Sequence, residues 1–215
     1  MTNKDKLIRT KRAWAEKGQH LSGQETGQER LPPGQRLVTT WPVLDLGVQP
    51  DITTQAWQLQ IEGAIKKPQT LDWQQLQDMP LVDSVSDMHC VTTWSRYDNH
   101  WRGLPTRVLL DRVEPKTEAR FVMAESFDSY TTNLPIEALQ AEDSLLAVQW
   151  EGKSLTREHG GPVRLLVPHL YLWKSAKWLR KLVFMTEDQR GFWEKNGYHN
   201  HADPWKEERY AQQES

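Results

Sequence analysis

The chain has 215 residues, with 27 basic and 29 acidic side chains, a formal net charge of −2, and one cysteine beside eleven tryptophans. That length builds one medium domain with a sizeable core, and the near balance of charge argues against a nucleic-acid partner, which needs clustered positive charge. A mean hydropathy of −0.75, with no apolar run near the roughly 20 residues that span a bilayer, excludes an integral membrane protein, and a lone cysteine excludes an internal disulfide.

Residues 1–20 carry Lys4, Lys6, Arg9, Lys11, Arg12 and Lys17 against Asp5 and Glu16. They contain no apolar stretch of the roughly 7–15 residues that a secretory signal needs. Lys11-Arg12 leads into Glu16, Gly18 and Gln19, so no twin-arginine signal is expected and the reading is cytoplasmic. Residues 18–30 are mostly Gln, Glu and Gly, which is linker chemistry. Residues 1–30 are therefore expected as a flexible tail and 31–215 as the folded domain. Further on, Trp57, Leu59 and Ile61 alternate with polar residues up to Gly63, the pattern of a half-buried strand. Thr70 offers a helix cap before Leu71, Trp73 and Leu76, with a stop ahead of Pro80. A helix is expected over 105–113, and strands over 119–124, 145–150, 163–167 and 182–184. Trp150-Glu151-Gly152-Lys153 reads as a hairpin tip. From Asp188 the chain should wrap the surface as loop, with a helical turn over 205–210. The sum is a mixed α+β domain without repeats.

Two segments can carry chemistry. Cys90 lies in the polar run Asp87-Met88-His89-Cys90-Val91-Thr92-Thr93-Trp94-Ser95. It is either a small buried hydrophobe or a thiolate donor to a soft or high-valent metal. No second cysteine exists to complete a zinc site, so a metal there takes its other ligands largely from a cofactor. The second segment is His159-Gly160-Gly161-Pro162-Val163-Arg164, followed by Lys174-Ser175-Ala176-Lys177-Trp178. Adjacent glycines can bare backbone N–H groups to an anion, Arg164 supplies a fork, Lys177 a point charge and His159 a donor. The plain alternative is a turn with solvated basic flanks. Arg164, however, sits between Val163 and Leu165-Leu166-Val167, where a charge needs a purpose or a partner. His199, His201 and Asp203 read as a surface loop and not as a metal site. Ser22, Ser95 and Ser154 lack a nucleophile elbow, and no dinucleotide fingerprint is present.

The motifs Leu31-Pro32-Pro33-Gly34-Gln35, Trp41-Pro42-Val43-Leu44-Asp45, His89-Cys90-Val91 with Trp94-Ser95, Trp101-Arg102-Gly103, Tyr130-Thr131-Thr132-Asn133-Leu134-Pro135 and Gly191-Phe192-Trp193-Glu194 stand in the chain together with runs 159–167 and 173–178. In that combination, over residues 31–210, the sequence resembles the sulfite oxidase-like, molybdopterin-dependent oxidoreductases, in particular their short, stand-alone bacterial members. The resemblance implies a mixed-sheet molybdopterin-binding domain with one molybdenum, held by the dithiolene of a single pterin and by the Cys90 thiolate. It places His159, Arg164 and Lys177, with the glycines at 160 and 161, at the pterin phosphate. The backbone of Ser175, Ala176 and Lys177 corresponds to a pterin-clasping turn, Trp41 and Ser126 to pterin-lining positions, and His89 to the motif of the ligand cysteine. Trp94 and Tyr130, with Arg96 and Arg190, edge the implied substrate pocket.

Sulfite oxidases carry substrate-gripping arginines where this chain has Trp94 and Ser95, and an active-site tyrosine where it has Gln189. The Cys-Val-x-x-Trp-Ser run is closer to the methionine-sulfoxide reductase branch. A neutral S-oxide or N-oxide is thus expected as substrate in preference to sulfite, with two-electron oxygen-atom transfer and an unidentified electron donor or acceptor. A non-catalytic molybdopterin carrier and a partner-binding domain are the alternatives. The resemblance also implies neither a haem domain nor a C-terminal dimerisation domain, hence a monomer.

Overall fold

The computed structural model describes residues 3–19 and 30–213. Helix α1 (Asn3–Gln19) precedes an α+β body of two sheets. In the first sheet β1 (Arg36–Leu37), β5 (Trp94–Pro105), β8 (Leu145–Trp150) and β10 (Arg164–Leu166) lie in that order, with β4 (Val82–Cys90) paired to β5 and β9 (Lys153–Ser154) to β8. The second sheet has the order β3 (Gln69–Asp72), β2 (Gln58–Gly63), β11 (Leu179–Met185), β6 (Phe121–Ser126) and β7 (Thr131–Pro135). Both are mixed: β1 runs parallel to β5 and β11 parallel to β2, and the other pairings are antiparallel.

Period-2 patterning accounts for β2, where Leu59 and Ile61 are buried and Gln58, Gln60 and Glu62 exposed. Short helices α2 (Trp73–Gln77), α3 (Thr106–Val113) and α4 (Ile136–Gln140) connect strands. Helix α3 turns Leu109, Leu110 and Val113 inward. Leu59, Val122, Leu134, Leu146, Leu165 and Phe184 belong to one apolar cluster fed by both sheets, so the two sheets share a core.

Several expectations are corrected. The cap of α2 is Asp72, not Thr70. Thr70 pairs with Gln60 in β3, while the Asp72 carboxylate accepts from the Gln75 N–H at 2.8 Å and the Gln75 side chain reciprocates. Within the segment expected as a tail, Asn3–Gln19 form α1, and residues 20–29 lie outside the described residues. The last stretch is not a surface wrap, because Glu194, Tyr198, Ala202 and Arg209 are buried. Its helical turns fall at α5 (Phe192–Lys195) and at a 3-10 turn, Ala211–Gln213. Strands β5 and β7 escape the sequence pattern, whereas the run before Asp87 reads as strand-like and opens β4. The first half of β4 is largely exposed and register shifts interrupt its pairing with β5, so neither strand alternates cleanly. No helix among the described residues is long and apolar enough to cross a membrane.

Candidate active site

Cys90 ends β4 and Trp94 begins β5, and the two are paired across the hairpin. The Thr93 N–H donates to the Cys90 carbonyl at 2.9 Å, and Thr93 takes a positive φ of 71° to close the turn. This turn forms one wall of a cleft of about 840 Å³, counting its open mouth. Trp41, Ser126, Tyr130, Arg164, Ser175 and Lys177 share the cleft with Cys90 and Trp94. The thiol and the basic residues, set some seventy positions and more apart in the chain, thus meet on one surface.

Cys90 is only 6% exposed. Burial pushes its thiol up from the ordinary range, while the Thr92 hydroxyl at 3.1 Å, the Thr92 backbone and the charges of Lys11 and Arg209 pull it down. A cation in the cleft would add to the second set and favour the thiolate. Among the described residues no three His, Cys, Asp or Glu side chains converge to hold a metal. A metal on Cys90 therefore takes its remaining ligands from outside the side chains described.

Arg164 is buried in β10, where its guanidinium donates to the His159 carbonyl at 3.0 Å and the Ser175 carbonyl at 2.9 Å. Its Nε has no hydrogen-bond partner, and burial lowers its pKa to about 9. The Ser126 hydroxyl on the same cleft is likewise buried without a partner. Lys177 donates to the Glu158 carbonyl at 2.6 Å, and its pKa falls to about 7, through burial first and then the charge of Arg164. Buried donors without acceptors and cations without carboxylates are costly in an empty protein interior. They suit an anionic, hydrogen-bonding molecule. Aromatic walls from Trp41, Trp94, Trp173 and Trp178 suit a flat one.

Other expected residues lie behind the cleft. Gly160 and Gly161 do not bare their N–H groups, which donate to the Arg157 and Thr156 carbonyls at 3.1 and 3.0 Å. Their role is close packing: a Cβ on Gly160 would stand 2.8 Å from the Lys177 Cβ, and one on Gly161 2.2 Å from the Leu155 carbonyl oxygen. His159 stacks on Trp41 at 4.0 Å between ring centres, with its Nδ1 3.0 Å from the Thr156 hydroxyl. It supports the cleft wall and is not itself on it. Ala176 is buried and its carbonyl accepts from Leu165. His89 points elsewhere, toward the Ser95 hydroxyl at 2.8 Å, and burial lowers its pKa to about 4. Arg96 is paired with Glu151 at 3.0 Å, and neither it nor Arg190 lines the cleft.

Lys11, Asp128 and Tyr198 also line the cleft, and the sequence singles out none of them as a site residue. Lys11 comes from a basic helix with no local motif. Arg209, fully buried, donates to the Val91 carbonyl at 2.8 Å and so braces the Cys90 turn from the far end of the chain.

Residues 46–193 match the family model described as an oxidoreductase molybdopterin binding domain. The chain is 44% identical over 185 residues to YuiH of Bacillus subtilis, an oxidoreductase of uncharacterised activity, covering 85% of this chain and 92% of that protein. It is 32% identical over 161 residues to the protein-methionine-sulfoxide reductase catalytic subunit MsrP of Campylobacter jejuni, covering 67% of this chain but only 54% of MsrP. Its fold resembles the sulfane dehydrogenase SoxCD of Paracoccus pantotrophus, with a TM-score of 0.59 at 24% identity, over 65% of this chain and 40% of that one. The unpartnered Arg164 Nε and Ser126 hydroxyl, the cationic cleft and its flat aromatic walls fit molybdopterin, which carries a ring system, a phosphate and its molybdenum. The chain therefore belongs to the molybdopterin-binding oxidoreductases, with a sulfite-oxidase-type α+β fold and molybdopterin with molybdenum as its cofactor.

Proposed function

We propose that this enzyme reduces a small, neutral S-oxide or N-oxide by two-electron oxygen-atom transfer, with Cys90 as the protein's ligand to molybdenum. The observation that carries this reading is the single cleft that holds Cys90 together with Arg164 and Lys177. When bound, molybdopterin supplies a two-electron redox centre. Arg164 and Lys177 would hold the phosphate end through charge-assisted hydrogen bonds, Ser126 and Ser175 would hold the ring system, and Trp41 would cover it. Cys90 anchors the metal end and tunes its potential.

The residues beside Cys90 on the cleft wall, Val91, Thr92 and Trp94, carry no charge. No arginine stands among these residues to grip a sulfite dianion, which would lose more hydration against them than a neutral oxide does. Trp94 and Tyr130 border the substrate in this reading. The Tyr130 hydroxyl donates to the Trp173 carbonyl, and burial raises its pKa well above the usual range, so it stays a neutral phenol. Relationship to a protein named as a methionine-sulfoxide reductase supports the same substrate class. Reduction of an S-oxide consumes two electrons and two protons and releases the sulfide and water.

The test is a dye-linked assay of the molybdopterin-loaded enzyme against S-oxides, N-oxides and sulfite. Turnover of a neutral oxide with no sulfite oxidation supports the reading. Rapid sulfite oxidation with no oxide turnover overturns it.

A further inference from the structure

Lys11 is a buried cation on a helix rich in basic residues. It lies midway along α1 and is only 8% exposed, although Asp5, Lys6, Arg9 and Ala13 on the same helix are exposed. Its ammonium enters the cofactor cleft, donates to the Asp45 backbone carbonyl and lies 5.9 Å from the centre of the Trp193 ring. The Asp45 carboxylate oxygens accept from the Gly47 N–H at 2.8 Å and the Gln49 amide at 2.7 Å, and Asp45 attracts Lys11 from beyond hydrogen-bond range. Among the described residues no carboxylate forms an ion pair with Lys11 within 4.0 Å. Taking an ammonium out of water without an anion is unfavourable, and burial accordingly lowers its pKa, with Asp45 and Cys90 opposing. Lys11 also acts electrostatically on Lys177, so it adds to a cationic region that already repels itself.

We infer that α1 is the closing wall of the cofactor cleft and that Lys11 is a cofactor-binding residue, which pairs with an anionic group of the bound molybdopterin and retains it. This rests on the cofactor reading above and extends it to a residue outside the matched region 46–193. Ile8 packs α1 against the core, but an ammonium buried without an anion opposes that docking. An anion that meets Lys11 removes the opposition, so α1 sits more firmly with the cofactor bound and loosens when it leaves.

The experiment uses the full chain as wild type, Lys11→Met and Lys11→Arg, each purified with its cofactor. Molybdenum retained during dialysis gives the release rate, and amide hydrogen exchange over residues 3–19 reports on α1. Loss of one charge-assisted contact predicts release about tenfold faster for Lys11→Met, weaker protection of α1, and near wild-type behaviour for Lys11→Arg. Wild-type protein stripped of cofactor should lose α1 protection as Lys11→Met does. Equal release rates and equal α1 protection in Lys11→Met and loaded wild type overturn the inference while leaving the cofactor reading intact. Wild-type protein that binds no molybdopterin overturns both.

Discussion

The Arg164 guanidinium lies 5.1 Å from the centre of the Trp41 ring, and both face the cleft that Cys90 lines. The contact fixes a cation against an aromatic wall. Two of its donors are tied to the His159 and Ser175 carbonyls, and Nε alone has no partner. The positively charged fork is thus oriented before any ligand arrives, and the entropic cost of ordering it is met in folding.

Arg164→Ala should lower cofactor occupancy sharply. Loss of a buried charge-assisted contact weakens binding by about 10-fold to 100-fold, and the His159 and Ser175 carbonyls lose their donor. Metal analysis of purified protein checks this; full molybdenum loading in the variant contradicts it.

Lys177 gives the cleft a pH dependence. Burial and Arg164 depress its pKa to about 7, against about 10.4 in the unfolded chain. Between those values the unfolded state binds more protons, so the cofactor-free protein gains stability as pH rises from about 7 and is least stable below it. An anion pairs with the charged form, so its affinity should move the other way and weaken above about pH 7. Titration of inorganic phosphate onto cofactor-free protein at several pH values should show that fall, and Lys177→Met should flatten it.

Gly161→Ala should destabilise the fold. The added methyl meets the Leu155 carbonyl oxygen at 2.2 Å, an overpacking worth about 1–3 kcal/mol. Thermal unfolding should fall by about 2–4 °C per kcal/mol for a chain of this size. An unchanged Tm with lost phosphate binding would restore the glycine pair as an anion site.

Much of this arrangement is legible in residue types. Arg164, set among apolar neighbours, demands a partner on chemical grounds alone, whereas the residues around Cys90 leave a buried hydrophobe and a metal ligand both open. Strand β2 declares itself by alternation. The glycine pair is ambiguous in sequence, because close packing and anion binding both call for a missing Cβ, and only the hydrogen bonds to Thr156 and Arg157 decide between them. Lys11 and Arg209 carry no local signal: what makes them part of the site is contact with Asp45 and Val91, far away in the chain. Strand β5 hides for another reason, since register shifts in its pairing with β4 and β8 break the period.

A buried charge pair supports the site from behind. Lys174 and Glu194 lie 2.7 Å apart with both side chains fully buried, and Glu194 also accepts from Trp173 and Thr132. Glu194→Gln should cost about 3–5 kcal/mol by leaving Lys174 uncompensated. Denaturant unfolding measures this, and a loss below about 1 kcal/mol would assign the pair no structural role.

The central claim concerns Cys90. Serine at that position keeps the size and the Thr92 contact at 3.1 Å, so the fold should survive with a change of about 1 kcal/mol or less, while the soft thiolate donor disappears. The decisive measurement is the dye-linked S-oxide turnover of Cys90→Ser beside wild type, both folded and normalised to bound pterin. The account predicts turnover in the wild type and none above background in the variant; equal specific activity in the two would contradict it.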